Sequence, residues 1–208
     1  FKPTSGQILY RNDRSIGGLP SSKIAKMGII RTFQRTAIYP DFSVLKNVIV
    51  ACQLHGKENV IDIFTGAGKK IEKENTEKAL EIIDFMGLSH LENEPAVDLP
   101  HGHQRTLGVA IALACKPKVL LLDEPLTGMT PTEKAHMIEL IRKVHNQGIT
   151  ILMVEHDMRS VMKLCDYISV LDFGTLLVEG TPDEIKNDEN VINAYLGTED
   201  IITGNKSS

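Results

Sequence analysis

The sequence is short of several things, and each shortage excludes a class of protein. Only three cysteines occur in 208 residues, Cys52, Cys115 and Cys165, far apart and without a CxxC pair or a Cys/His cluster. Neither a disulfide framework nor a zinc site is expected, and the thiols read as buried groups in a reducing compartment. Basic residues are not in excess: 23 Lys and Arg stand against 27 Asp and Glu, a net charge of −4. A protein whose main task is to grip nucleic-acid phosphate shows the opposite balance, so no nucleic-acid partner is expected. The apolar run from Val109 to Cys115 falls far short of the roughly 20 residues of a membrane span. No charged start followed by an apolar stretch and a small-residue cleavage site is present, so no secretory signal is expected.

What is present is an ordinary globular mixture, 42% hydrophobic and 24% charged, enough for one large domain with a core. Gln7 to Tyr10 reads as a short strand and Asn12 to Pro20 as turn. Ser21-Ser22 cap a short helix reaching Met27, Gly28 stops it, and Gly28 to Phe33 is a β-branched strand ending at Gln34. Ser43 is a helix cap before Val44 to about Leu54. Residues 55–73 are polar and weakly periodic and read as a loop. Ala79, Leu80, Ile83 and Met86 recur at helical spacing up to Gly87, and Arg105 to Ala114 reads as a buried helix.

The second half changes character. Lys118 to Leu122 and Ile149 to Val154 are apolar runs expected to be strands buried on both faces, with an amphipathic helix, Glu133 to Gln147, between them. A helix from Asp157 to Leu164 and a third strand, Tyr167 to Leu171, continue the alternation. A turn then leads to Leu176–Val178, and Thr181-Pro-Asp-Glu184 is a capping box. The alternation predicts an α/β fold with a helix-covered parallel sheet, and the strand-poor stretch from about 43 to 115 predicts an inserted helical subdomain.

Chemistry concentrates at strand ends. Val119-Leu-Leu-Leu-Asp-Glu-Pro125 delivers two adjacent carboxylates to the rim where open parallel sheets bind ligands. One carboxylate can hold Mg²⁺ while the other orients a water. Ile151 to Asp157 brings His156 to the end of the next strand, at the same edge. Leu99-Pro-His-Gly-His-Gln-Arg105 opens a helix beside a glycine, which suits an anion. A metal held by His101 and His103 would need further ligands that the loop does not supply.

In order and spacing, Gln34, a helical block, Leu99 to Arg105, Val119 to Pro125, Gly128-Met-Thr130 and His156 resemble the ATPase domain of ABC transporters, where they correspond to the Q-loop, signature, Walker B, D-loop and switch histidine. The resemblance covers essentially the whole chain. Ile30-Arg-Thr-Phe-Gln34 and Asp123 to Pro131 look most like the ATPase subunits of branched-chain amino acid importers. The resemblance implies a P-loop NTPase-like core spanning 1–208, with ATP and Mg²⁺ as cofactors. It implies Asp123 and Gln34 toward the metal, Glu124 as general base and His156 at the γ-phosphate. Gln34, Leu99, Gly102, His103, Gln104 and Thr130 would be the nucleotide-contacting set. It also implies a homo- or heterodimer of ATPase subunits and a membrane permease served indirectly by a solute-binding protein. The chain would then sit in the cytoplasm, on the inner face of the membrane.

Three departures accompany the resemblance. The phosphate-cradling G-x-x-x-x-G-K-[ST] does not occur, and Thr65-Gly-Ala-Gly-Lys-Lys70 is a poor imitation that follows no expected strand. In the family that loop and the first strands precede a segment like Phe1 to Gly6, so they are expected ahead of residue 1, and the 208 residues alone are expected not to hydrolyse ATP. The signature carries Pro100, His101 and His103, and the D-loop carries Thr130. A permease-docking module without catalysis and a non-transport ABC ATPase are the alternative readings.

Overall fold

The computed structural model describes residues 3–11, 14–32, 38–53 and 67–192. The chain divides into two compact units, Phe1–Val154 and Glu155–Ser208.

In the first unit β1 (Leu9–Tyr10) and β2 (Arg14–Ser15) form a short antiparallel hairpin, so part of the stretch read as turn is strand. Helix α1 (Ser21–Lys26) has Pro20 as its N-cap, which places the expected serine cap inside the helix. Gly28 follows at φ +89°, a left-handed backbone that ends the helix as expected. Strands β3 (Ile29–Arg31), β4 (Val119–Asp123) and β5 (Thr150–Val154) make a parallel sheet in the order β3-β4-β5. The register pairs Arg31 with Leu121 and Asp123 with Val154, so the carboxyl ends of β4 and β5 share one edge.

Between β3 and β4 the regular elements among the described residues are helices, joined by turns. Helix α2 (Val44–Gln53) packs on α3 (Ala67–Phe85) and on α4 (His101–Ala114). Val44, Val48, Ile83, Met86 and Leu107 are fully buried. Helix α3 begins at Ala67, so residues 67–73 are helix rather than loop; residues 54–66 lie outside the described set. The Ser43 cap is present, its Oγ accepting from Lys46 N at 3.2 Å. Asn47, 1% exposed, ties the entry to α2 together. Its Oδ1 accepts from Tyr39 N at 2.8 Å, and its Nδ2 donates to the carbonyls of Tyr39, Phe42 and Ser43 at 3.0–3.2 Å. Alanine at 47 removes the acceptor of Tyr39 N–H and one donor from each of the three carbonyls, which keep their backbone donors Phe42, Ala96 and Asn47 N–H. Asn47→Ala is therefore expected to cost roughly 1–3 kcal/mol, readable as a lower urea midpoint at unchanged slope.

After β4 comes α5 (Pro131–Asn146), whose stripe of Met137, Leu140, Ile141 and Val144 is buried. Burial of the strands departs from expectation. Leu120 and Leu122 are buried, but Val119 and Leu121 are half-buried, and Leu152 and Val154 are 61% and 60% exposed. An apolar run records composition; which sheet face is covered depends on elements elsewhere in the chain. The cysteines depart likewise, Cys52 being buried while Cys115 and Cys165 are half-buried. Burial pushes all three thiols up from their ordinary pKa, so they are poor nucleophiles at neutral pH.

The second unit holds α6 (Met158–Leu164), capped by Asp157, and an antiparallel pair, β6 (Ile168–Asp172) with β7 (Thr175–Gly180). The third strand of the alternation thus belongs to a hairpin and not to the parallel sheet. Phe173 and Gly174, at φ +44° and +82°, form a two-residue turn that folds β7 back onto β6. Two short helices, α7 (Pro182–Lys186) and α8 (Glu189–Val191), pack on β7. Among the described residues no helix is long and apolar enough to cross a membrane.

Two capping boxes give the molecule an acid-sensitive element. Glu184 accepts from the backbone N–H and hydroxyl of Thr181, and Glu133 from the hydroxyl and backbone N–H of Thr130; these bonds hold both carboxyls below the ordinary glutamate pKa. A lowered folded-state pKa means the stabilisation is present above the unfolded value near 4.3 and is lost as pH falls through the folded value. The thermal midpoint should therefore drop more steeply below about pH 4.5 in the parent than in the Glu133→Gln/Glu184→Gln variant. Parallel curves would exclude the boxes as the cause.

Candidate active site

Strand β4 ends in the two carboxylates, and the backbone separates them sharply. Asp123 is the last strand residue, while Glu124 turns into the left-handed region at φ +45°. A non-glycine residue there is strained, and such strain gathers where a side chain must be aimed. The turn is held by Glu124 N–H donating to Val154 O at 2.9 Å and by Thr127 N–H donating to Glu124 O at 3.3 Å. Thr127 Oγ1 donates to Glu124 Oε2 at 3.1 Å, fixing the carboxylate itself.

Asp123 has a different neighbour. Arg31 Nη2, at the end of β3, lies 2.7 Å from Asp123 Oδ2 in a side-chain ion pair across the sheet edge. A cavity of about 170 Å³ opens beside it, lined by Arg31, Arg105, Gly108, Cys115, Asp123 and Pro125 among others. Arg105 Nε is buried there without a hydrogen-bond partner.

The glycine-bearing motif forms the first turn of α4, which starts four residues earlier than expected. Its N-cap is Pro100, with no side-chain cap bond, so the leading N–H groups are not satisfied by a cap. Gly102 is buried, and its carbonyl accepts from Thr106 Oγ1 at 3.0 Å. Leu99 and Gln104 are joined, Gln104 Nε2 donating to Leu99 O at 3.0 Å. His103 places a buried Nδ1 without a hydrogen-bond partner, its ring edge-on to His90 at 5.9 Å. Thr130 spends its hydroxyl on Glu133 as the N-cap of α5.

His156 follows β5 by two residues, in the second unit, with its side chain 69% exposed and Nδ1 3.8 Å from Glu155 Oε2. Gln34 lies outside the described residues. Among the described residues no group of three or more His, Cys, Asp or Glu is arranged to hold a metal ion by itself.

Arg31, Thr127 and Glu133 are neighbours that the sequence reading passed over. Arg31 is one arginine among many until the register places it across from β4. Thr130-Pro-Thr-Glu133 was legible, since it repeats the box at 181–184.

A parallel α/β sheet with adjacent carboxylates at its carboxyl edge and a helical block between β3 and β4 defines a nucleotide-binding class of fold. The ABC transporter profile matches residues 1–127, and the chain belongs to that family of nucleotide-binding ATPases. A second profile, of branched-chain amino acid ATP-binding cassette transporters, matches residues 175–201. The chain is 38% identical over 200 residues to the high-affinity branched-chain amino acid transport ATP-binding protein LivG of Escherichia coli K12, covering 95% of this chain and 78% of LivG. It is 36% identical over 200 residues to BraF of Pseudomonas aeruginosa, with the same coverage. Its fold matches the ADP conformation of an ATP-binding cassette of an ABC transporter with a TM-score of 0.78 and 28% identity, over 95% of this chain and 79% of that one.

Proposed function

We propose that the protein carrying this chain is the ATP-hydrolysing subunit of an importer for branched-chain or other hydrophobic amino acids. The observation that carries the reading is the carboxylate pair at the end of β4, two adjacent acids held in different ways. The similarity to LivG and BraF supports the solute class. In this reading the protein acts as a homo- or heterodimer beneath a membrane permease, on the cytoplasmic face, with a solute-binding protein upstream. Residues 1–208 belong to the ATPase domain, and about 43–115 to its helical subdomain.

Glu124 is the proton acceptor. The Thr127 hydroxyl and the strained backbone hold its carboxylate in one place, so it receives a proton from water without searching for orientation. Asp123 fits a cation, since its carboxylate already holds one, the guanidinium of Arg31. With Gln34 it would hold Mg²⁺, which supplies charge stabilisation to phosphate oxygens when bound. The uncapped first turn of α4 offers Gly102, His103 and their neighbours to an anion at the positive end of a 14-residue helix. Leu99 and Gln104 brace that turn, and Thr130 fixes the loop before α5. His156 contacts the γ-phosphate as a hydrogen-bond donor.

The test is leucine uptake by cells whose copy of the gene carries His156→Ala. Uptake at least tenfold below the parent, at equal protein level, is expected for a donor at the transferred group. Unchanged uptake would overturn the reading in favour of a docking role. ATP turnover stimulated by nucleic acid would favour a non-transport ATPase.

A further inference from the structure

The start of α4 approaches the chain from the loop after β4 to the first turn of α5 twice, each time with a glycine on one side. A Cβ built on Gly102 would collide with Glu133 Oε1 and lie 2.8 Å from its Cδ. A Cβ on Gly128 would lie 3.1 Å from His101 Cε1. Gly128 is itself at φ +78°, so the ring of His101 rests on a backbone that a side chain would both strain and obstruct. The two contacts run in opposite senses: α5 reaches α4 through Glu133, and α4 reaches the loop through His101.

Glu133 is fixed at its own end too. Its Oε2 accepts from Thr130 Oγ1 at 2.7 Å and Thr130 N at 2.8 Å, while Glu133 N–H donates to Thr130 Oγ1 at 3.3 Å. The carboxylate that caps α5 is therefore the one that lies against Gly102. His101 and His103 stand near enough to favour its charged form, after the larger effect of the Thr130 bonds.

We propose that Glu133 is a positioning residue that locks the first turn of α4 to the loop 125–130, so that the two stretches move as one body. Helix capping alone does not require a carboxylate to fill the space above Gly102. Filling it sets where the N–H groups of Gly102 and His103 stand relative to the loop that leaves Glu124. A shift at the carboxylate turn thereby reaches the anion-receiving turn of α4 through one side chain. The functional consequence rests on the proposed role of Gly102 toward ATP; the lock itself does not.

The decisive experiment is a double-mutant cycle on Gly102→Ala and Glu133→Ala in the protein carrying this chain. Unfolding midpoint and ATP-driven subunit association are both measured. Gly102→Ala alone should raise the ATP concentration for half-maximal association at least tenfold, because its methyl needs the space Glu133 holds. Glu133→Ala alone should weaken association as the lock opens, and the double variant should be no worse than Gly102→Ala, because the methyl then enters the space that Glu133 held. Glu133→Gln, which retains an acceptor oxygen and the volume, should stay within about threefold of the parent. Additive effects in both measurements would show that Glu133 serves only as a cap and would overturn the proposal. Coupling in the unfolding midpoint with no response of association to either substitution would keep the lock but remove Gly102 from the nucleotide site. Where Gly102→Ala fails to fold, Glu133→Ala and Glu133→Gln decide: equal loss of association in both excludes positioning by volume and acceptor.

Discussion

In the protein carrying this chain, Glu124→Gln is expected to lower ATP turnover by about 10²–10⁴-fold while leaving nucleotide binding within a few-fold of the parent. Glutamine keeps the size of the side chain and an acceptor for Thr127 Oγ1, so the turn at φ +45° should survive. It cannot take a proton from water. Binding and turnover should thus separate, which steady-state ATPase rates and equilibrium nucleotide titration read independently. A second substitution sharpens the point. Glu124→Gly removes the same carboxylate and relieves a left-handed residue, so its thermal midpoint should be no lower than that of Glu124→Gln although it is equally inactive. Activity retained in either variant would remove Glu124 from the role of base.

Asp123→Asn is expected to fail differently. The carboxylate holds the Arg31 guanidinium at 2.7 Å and, in the proposed reading, a divalent cation during turnover. An amide has the shape but not the charge, so turnover should fall by about 10²-fold or more. The metal concentration for half-maximal rate should rise with it, whereas Glu124→Gln should leave that concentration unchanged. Stability should change little, because Arg31 is 58% exposed and an exposed ion pair contributes at most about 1 kcal/mol. A rate loss without a shift in metal dependence would assign Asp123 to shaping the edge alone.

Much of the candidate site was legible because its residues sit at chain positions with strong local meaning. Asp123 and Glu124 follow an apolar strand, Gly102 opens a helix, and Ser43 and Thr181 stand where caps belong. Each depends on neighbours within a few residues, the range over which strand termini and helix caps are determined. Arg31 and Asp123 are 92 residues apart, and only the pairing of β3 with β4 brings them together. The contact of Glu133 with Gly102 spans two helices in the same way. Leu152 and Val154 show the reverse error: their composition matches a strand buried on both faces, yet both are more than half exposed.

The third strand makes the distinction plainest. Residues 168–172 form a strand as their β-branched and apolar pattern requires, but their partner is β7 and not the parallel sheet. By itself the sequence determined which segments become helix or strand, where most of them stop, and which residues stand at the strand ends. Those outcomes follow from backbone sterics, caps and periodicity, all short-range. Only the tertiary structure decided strand partners, the faces left open, and the pairing of Arg31 with Asp123 and of Glu133 with Gly102. Those depend on long-range packing, in which many pairings satisfy the same local pattern and the total buried surface selects among them.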